Sequence, residues 1–158
     1  MFDHVKIGFA LVLLGLAFGV GMGISFALNK EGYKSDIARG IEAHPQKHDS
    51  NSQIKIWRYI QSVHFFAAAI AAFSFVLLLF LIFSDMASGF KTASSILIGM
   101  SSLYPLSWYT IYVLAPSMGL SAAKHHLLTE VLAYLGVGGL VFGTLILMGN
   151  KVFGRFRK

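Results

Sequence analysis

Cysteine is absent from the 158 residues. That absence removes disulfides, thiolate metal sites, iron–sulfur clusters, c-type haem attachment and cysteine nucleophiles from the chemistry open to this chain. Charge is scarce too: Asp, Glu, Lys and Arg make up only 13% of residues, about half the usual share of a soluble domain. Prolines number three, so long helical stretches run uninterrupted. No G-x-S-x-G, H-E-x-x-H or phosphate-loop pattern occurs, so hydrolase and nucleotide chemistry have no motif behind them. No internal repeat, low-complexity tract or nucleic-acid module is present.

What is there is apolar. Hydrophobic residues account for 56% and the mean hydropathy is +0.67. A bilayer core about 30 Å thick is crossed by roughly 20 apolar helical residues. Four runs reach that length, at about 7–28, 57–83, 94–115 and 122–148. The first has no Ala-x-Ala cleavage signal and reads as a retained helix. Short connections at 85–91 and 116–121 favour antiparallel neighbours. The expectation is a single all-α domain, an integral membrane four-helix bundle running up-down-up-down, with one substantial extramembrane loop at 29–56. In that loop, Ser35 is a candidate cap for a short helix from Asp36 to about Ala43, ended by Pro45. Ile37, Ile41 and His44 then share a face suited to a membrane surface. Residues 44–53 read as irregular.

The net charge of +6 owes much to Lys151, Arg155, Arg157 and Lys158. A basic tail beside a membrane helix points to anionic headgroups on the cytoplasmic side, not to nucleic acid. The opposite side carries Lys30, Lys34, Arg39, Lys47, Lys55, Arg58 and Lys124, so cation counting is divided. The short second loop and dense tail favour cytoplasmic termini, in a bacterial plasma membrane.

Histidine near one membrane surface is the sharpest chemical signal, because imidazole at depth is costly unless hydrogen-bonded, protonated for a purpose or bound to metal. His64 lies about seven residues into the second run; His125 and His126 open the fourth. At helical spacing Trp57, Gln61, His64, Ala68, Ala71 and Phe75 share a face, with Ala67 and Ala72 beside it. From His125 a second face runs through Thr129, Leu132, Gly136, Gly139 and Gly143. Small residues beneath a histidine leave room for a flat cofactor, or equally for close helix packing. The two runs are diagonal and parallel in the expected bundle. His64 and His125, with His126 as alternate, are therefore candidate axial ligands for a b-type haem. Arg58 and Lys124 are candidate propionate partners, although ordinary snorkelling accounts for either alone. Two imidazoles make a six-coordinate haem suited to electron transfer. In helix count and histidine placement the layout resembles four-helix membrane cytochromes b.

Glu130, about eight residues into the fourth run, is a candidate proton or quinol group, with His126 one turn away as a partner; the plain alternative is a neutralised core acid. Tyr104, Trp108 and Tyr112, with Tyr109 beside them, read as an interfacial belt or as the wall of a quinone pocket. Pro105 is expected to loosen the third helix, with Ser101 or Ser102 satisfying the freed carbonyl. Gly15, Gly19 and Gly23 form a double GxxxG, a surface for close helix approach within the bundle, to other membrane subunits or to a second copy. Three function classes follow: a small haem-binding electron-transfer protein, quinone-linked or an anchor subunit of a respiratory complex; a non-catalytic structural subunit; and a copper, zinc or non-haem iron oxidoreductase or carrier using His44, His48, His64, His125, His126 and Glu130. An even number of spans puts Lys6 and Lys158 on one side. Reporter fusions at the two ends should agree in side, and disagreement would remove one span from the count.

Overall fold

The computed structural model of the chain describes residues 2–157, and every regular element among them is helical. Lys158 of the basic tail lies outside the described residues. Six α-helices follow in order: α1 Lys6–Ala43, α2 Ser52–Ile82, α3 Ser88–Gly99, α4 Leu103–Met118, α5 Leu120–Lys124 and α6 Leu127–Phe153. By length and composition, α1, α2 and α6 are each able to cross a membrane. The third apolar run is helical over 88–118 but is divided by a 3₁₀ turn at Met100–Ser102. Pro105 has no N–H to bond the carbonyl four residues back, and the tighter turn lies where that bond is missing.

The third run is the hub of the packing. It touches α1, α2 and α6, whereas α2 and α6 meet only marginally. Three serines of the run tie it to its neighbours' backbones. Ser95 Oγ donates to the Val5 carbonyl at 3.1 Å, Ser102 Oγ to Leu11 at 3.0 Å and Ser94 Oγ to Gly143 at 2.8 Å. A fourth, Ser101, bonds Ser74 of α2 at 2.8 Å. Glycines let these helices approach: a Cβ on Gly8 would strike Ser95, one on Gly15 would strike Ser102, and one on Gly143 would strike Ile98 and the Ser94 carbonyl. Around this waist the apolar core divides in two. One cluster, with Val5, Val12, Leu78, Leu81 and Ile98, lies toward the termini; the other, with Ile37, Ile56, Ile60, Val63 and Ile111, lies toward the long connection.

Several boundaries differ from the expectation. The first helix does not stop near residue 28. It breaks at Asn29 (φ −139°, ψ 36°) and continues to Ala43. Ser35 is therefore inside a helix and caps nothing; Asn29, a residue type that readily leaves helical geometry, marks the break. Ile37 does not face a membrane surface. It is fully buried against α2 and α4, and Gly40 sits so close to Pro116 that a Cβ would collide. The stretch taken as irregular contains a 3₁₀ turn at Pro45–Lys47, and α2 already begins at Ser52. Ser101 and Ser102 bond to other helices instead of relieving Pro105.

At the opposite end the chain folds back on itself. Gly154, with φ 61°, ends α6, a left-handed position that glycine adopts without strain. The Ala87 N–H then donates to the Phe156 carbonyl at 2.8 Å, and Arg157 pairs with Asp85 at 2.9 Å. Asn150 donates to the same carboxylate at 2.9 Å, and that bond, aided by Arg157, holds the Asp85 carboxyl below its ordinary range. Lys91 is buried and donates to the Ile82 and Ser84 carbonyls at 3.2 and 2.7 Å, placing a cation on the carbonyl end of α2.

Two adjacent glycines separate packing from helix propensity. A Cβ on Gly139 would lie 2.6 Å from the Leu97 carbonyl, while one on Gly138 meets nothing within 4 Å. Gly139→Ala should destabilise the protein by about 1–3 kcal/mol through overpacking, and Gly138→Ala should be neutral or stabilising by up to about 1 kcal/mol. Thermal unfolding in one detergent checks both.

Candidate functional site

The fourth apolar run does not enter as one helix. Gly119 (φ 88°) ends α4, α5 closes at Lys124, and His125 and His126 form the break before α6. His126 is extended (φ −67°, ψ 135°) and caps α6, its side chain accepting the Leu128 N–H at 3.3 Å. An accepting Nδ1 leaves the neutral ring protonated at Nε2. Glu130 is consequently in the first turn of α6 and not eight residues deep. Its partner is His125, whose Nδ1–H donates to Oε1 at 3.1 Å, not His126 as the continuous helix implied.

This pair lies in a groove of about 270 Å³ between α2, α4 and α6, lined by Tyr59, Tyr104, Trp108, Lys124, Glu130 and Tyr134 among others. Lys124 sits over the Tyr59 ring, 5.5 Å from its centroid. Phe66, Tyr59 and Tyr104 pack around Trp108 with ring centroids 4.7, 5.0 and 6.1 Å away. The expected aromatic face divides, because Tyr109 and Tyr112 turn toward α1, onto Phe18 and Tyr33.

His64 occupies a different groove, of about 250 Å³, between α1 and α2, lined by Gly23, Phe26, Lys30, Trp57, Gln61 and Phe65. Its Nδ1 is 2.7 Å from the Gly19 carbonyl. A carbonyl only accepts, so the ring donates there, and in the neutral form Nε2 keeps its lone pair. Among the described residues, no group is bonded to that nitrogen. The imidazole lies so close over Gly23 that a Cβ there would be 2.6 Å from Cε1. The double GxxxG is thus occupied within the chain: Gly15 receives Ser102, Gly19 receives Ala67 and Gly23 receives His64. Of the placements open to this motif, the one within the bundle is the one these contacts fill.

His64 and His125 therefore do not converge. The third helix lies between the faces that were to enclose a macrocycle: Gly136 is pressed against Tyr104, and Gly139 against Leu97 and Met100. On α2, Ala67 and Ala68 are covered by Gly19. The space beneath each histidine is filled by helix backbone. Arg58 is exposed and lines neither groove, and Lys124 belongs to the His125 groove alone. His44 ends α1, and His48 Nε2–H donates to the Pro116 carbonyl at 3.0 Å. Among the described residues, no three His, Asp or Glu side chains gather where one metal ion would bind them.

The chain matches no known protein family, no curated protein and no solved structure.

A further, mostly polar groove of about 380 Å³ borders His48, Asp49, Ser52 and Lys55 at the start of α2. Missed in the sequence was the role of Asp49, although an Asp three residues before a helical Ser is a usable turn signal. Lys55 at 2.7 Å, Ser52 at 2.9 Å and the Asn51 N–H at 2.9 Å all donate to it. Lys55 first, then Ser52 and Asn51, lower its pKa to about 2. A lowered carboxyl pKa adds stability above the unfolded value near 4, and that contribution fades as pH falls through about 2. The Asn51 amide resonance should therefore titrate with a midpoint near 2, not near 4, and Lys55→Ala should move the midpoint upward.

Proposed function

We propose that the chain is an integral membrane protein of four spans, up-down-up-down, with both termini on the cytoplasmic side of a bacterial plasma membrane. In this reading α3 and α4 together form the third span. It serves as a quinone-binding subunit of a membrane redox complex, with the quinol ring in the His64 groove. The observation that carries this reading is the oriented imidazole. The Gly19 carbonyl holds Nδ1–H, so Nε2 presents a lone pair to a groove walled by Phe26, Trp57 and Phe65. A quinol hydroxyl donates to such a nitrogen, and Gln61, one turn away on α2, suits the second oxygen. Aromatic walls suit the ring. Electrons would pass to or from a haem- or iron–sulfur-bearing partner subunit, since this chain has no cysteine for a cluster of its own.

A haem reading retains one specific support. Imidazole ligands to metals habitually donate their other nitrogen to a carbonyl or carboxylate, as His64 does. With His125 and His126 in another groove, a haem here would take one ligand from this chain and the second from elsewhere. For copper, zinc or non-haem iron the groove likewise offers a single imidazole. A purely structural subunit is favoured by the hydrogen bonds that His48, His64, His125 and His126 already make.

The test is quinol titration of the protein in lipid nanodiscs, in a Trp108→Phe background so that Trp57 alone reports. A decyl-chain benzoquinol should quench Trp57 saturably. His64→Ala should weaken binding about tenfold, the worth of one well-placed hydrogen bond at about 1.4 kcal/mol, and His125→Ala should leave it unchanged. No saturable quenching overturns the quinone reading. A reduced-minus-oxidised b-type spectrum lost in His64→Ala replaces it with the haem reading. Absence of both leaves the structural subunit.

A further inference from the structure

The groove on the other side of α2 is built differently, and the quinol reading leaves it unused. It carries fixed charge of both signs. Glu130 offers a carboxylate whose side chain is 36% exposed, steadied by His125. Lys124 lines the same groove and places its ammonium over the Tyr59 ring. The remaining walls are the rings of Tyr104, Trp108 and Tyr134. Beside the groove, Leu127 and Tyr134 are 74% and 71% exposed, so its mouth opens onto an apolar flank of α6 and not into a closed site.

A carboxylate in an aromatic groove selects a cation, because ring faces and carboxylate both attract positive charge. A lysine at the same mouth selects an anion, and phosphate is the anion that lysine meets at a membrane surface. A single ligand satisfying both is a zwitterion with a phosphate and an amine a few ångströms apart, carrying apolar chains for the exposed flank. A quinol has no positive charge for Glu130, and phosphatidylglycerol has none either. We propose that this groove is a binding site for an aminophospholipid headgroup of the phosphatidylethanolamine type, with the primary ammonium on Glu130 and the phosphate on Lys124. The primary amine is specified because its N–H groups hydrogen-bond a carboxylate, which a quaternary choline is unable to do.

Native mass spectrometry of the full chain, released from detergent after exposure to equimolar phosphatidylethanolamine, phosphatidylglycerol and phosphatidylcholine, tests this. Phosphatidylethanolamine should be retained about fivefold over each of the others, the scale of a partly exposed ion pair. Glu130→Gln should bring that ratio to about one, while Lys124→Gln should reduce retention of phosphatidylethanolamine and phosphatidylglycerol together. Should Glu130→Gln fold poorly, Ala133→Phe narrows the same groove without touching charge and should also abolish the preference. His64→Ala should leave the preference intact, which separates this site from the quinol groove. Equal retention of phosphatidylglycerol or phosphatidylcholine, or a preference that survives both Glu130→Gln and Ala133→Phe, overturns the proposal.

Discussion

Glycine set against serine is the contact on which the rest of this molecule depends. Where apolar side chains are no more soluble in one another than in lipid, helices associate through close packing and interhelical hydrogen bonds. The third run supplies both. Ser94, Ser95 and Ser102 donate to carbonyls of α6 and α1, and Gly143, Gly8 and Gly15 leave the space in which those bonds form. Each such bond is worth only about 0.6 kcal/mol on average. Their arrangement on one helix nevertheless selects it as the centre of the packing and sends α6 to its far side, away from α2.

That choice of centre decides where chemistry is able to occur. With the third run packed by serine and glycine against α1 and α6, His64 and the His125–Glu130 pair open on separate grooves. The two grooves then differ in kind. In one, an imidazole donates from Nδ1 to a backbone carbonyl and turns its Nε2 to the groove. In the other, a carboxylate and an ammonium share aromatic walls. The long connection closes the same end of the molecule: Ile37 is buried, His48 bonds the Pro116 carbonyl, and Lys47 bonds the Ser117 carbonyl at 3.0 Å.

Much of the helical content was legible in the runs of apolar residues, and so were the surfaces. Thr129, Gly136, Gly139 and Gly143 do share one buried face of α6, and Gly15, Gly19 and Gly23 do receive close neighbours. Periodicity reports that a face is small, but it does not report what fills it. For that reason the sequence left the occupant open on both faces: a cofactor or a packed helix on α6, where Leu97, Met100 and Tyr104 lie, and the bundle, another subunit or a second copy on α1, where Ser102, Ala67 and His64 lie. Ser101 and Ser102 were read as relieving Pro105, and Ser94 and Ser95 went unread, because a hydroxyl in an apolar helix bonds its own backbone as readily as a neighbour's. Ser107 does the former, at 2.7 Å from the Tyr104 carbonyl.

By itself, then, the sequence determined the class of molecule and its chemical inventory: apolar helices of membrane-crossing length, no thiol chemistry, and imidazoles near one end. These follow from composition and from periods of a few residues, which act locally. Tertiary structure alone decided which residues meet. The break at His125 and His126 placed Glu130 in a first turn, with its backbone N–H on the His126 carbonyl and its carboxylate on the His125 ring. The order in which helices surround the third run put His64 and His125 into separate grooves. Both outcomes depend on contacts between segments distant in the chain, such as His64 with Gly19 and Ser95 with Val5, and no local pattern encodes the partner of a hydrogen bond that spans 45 or 90 residues.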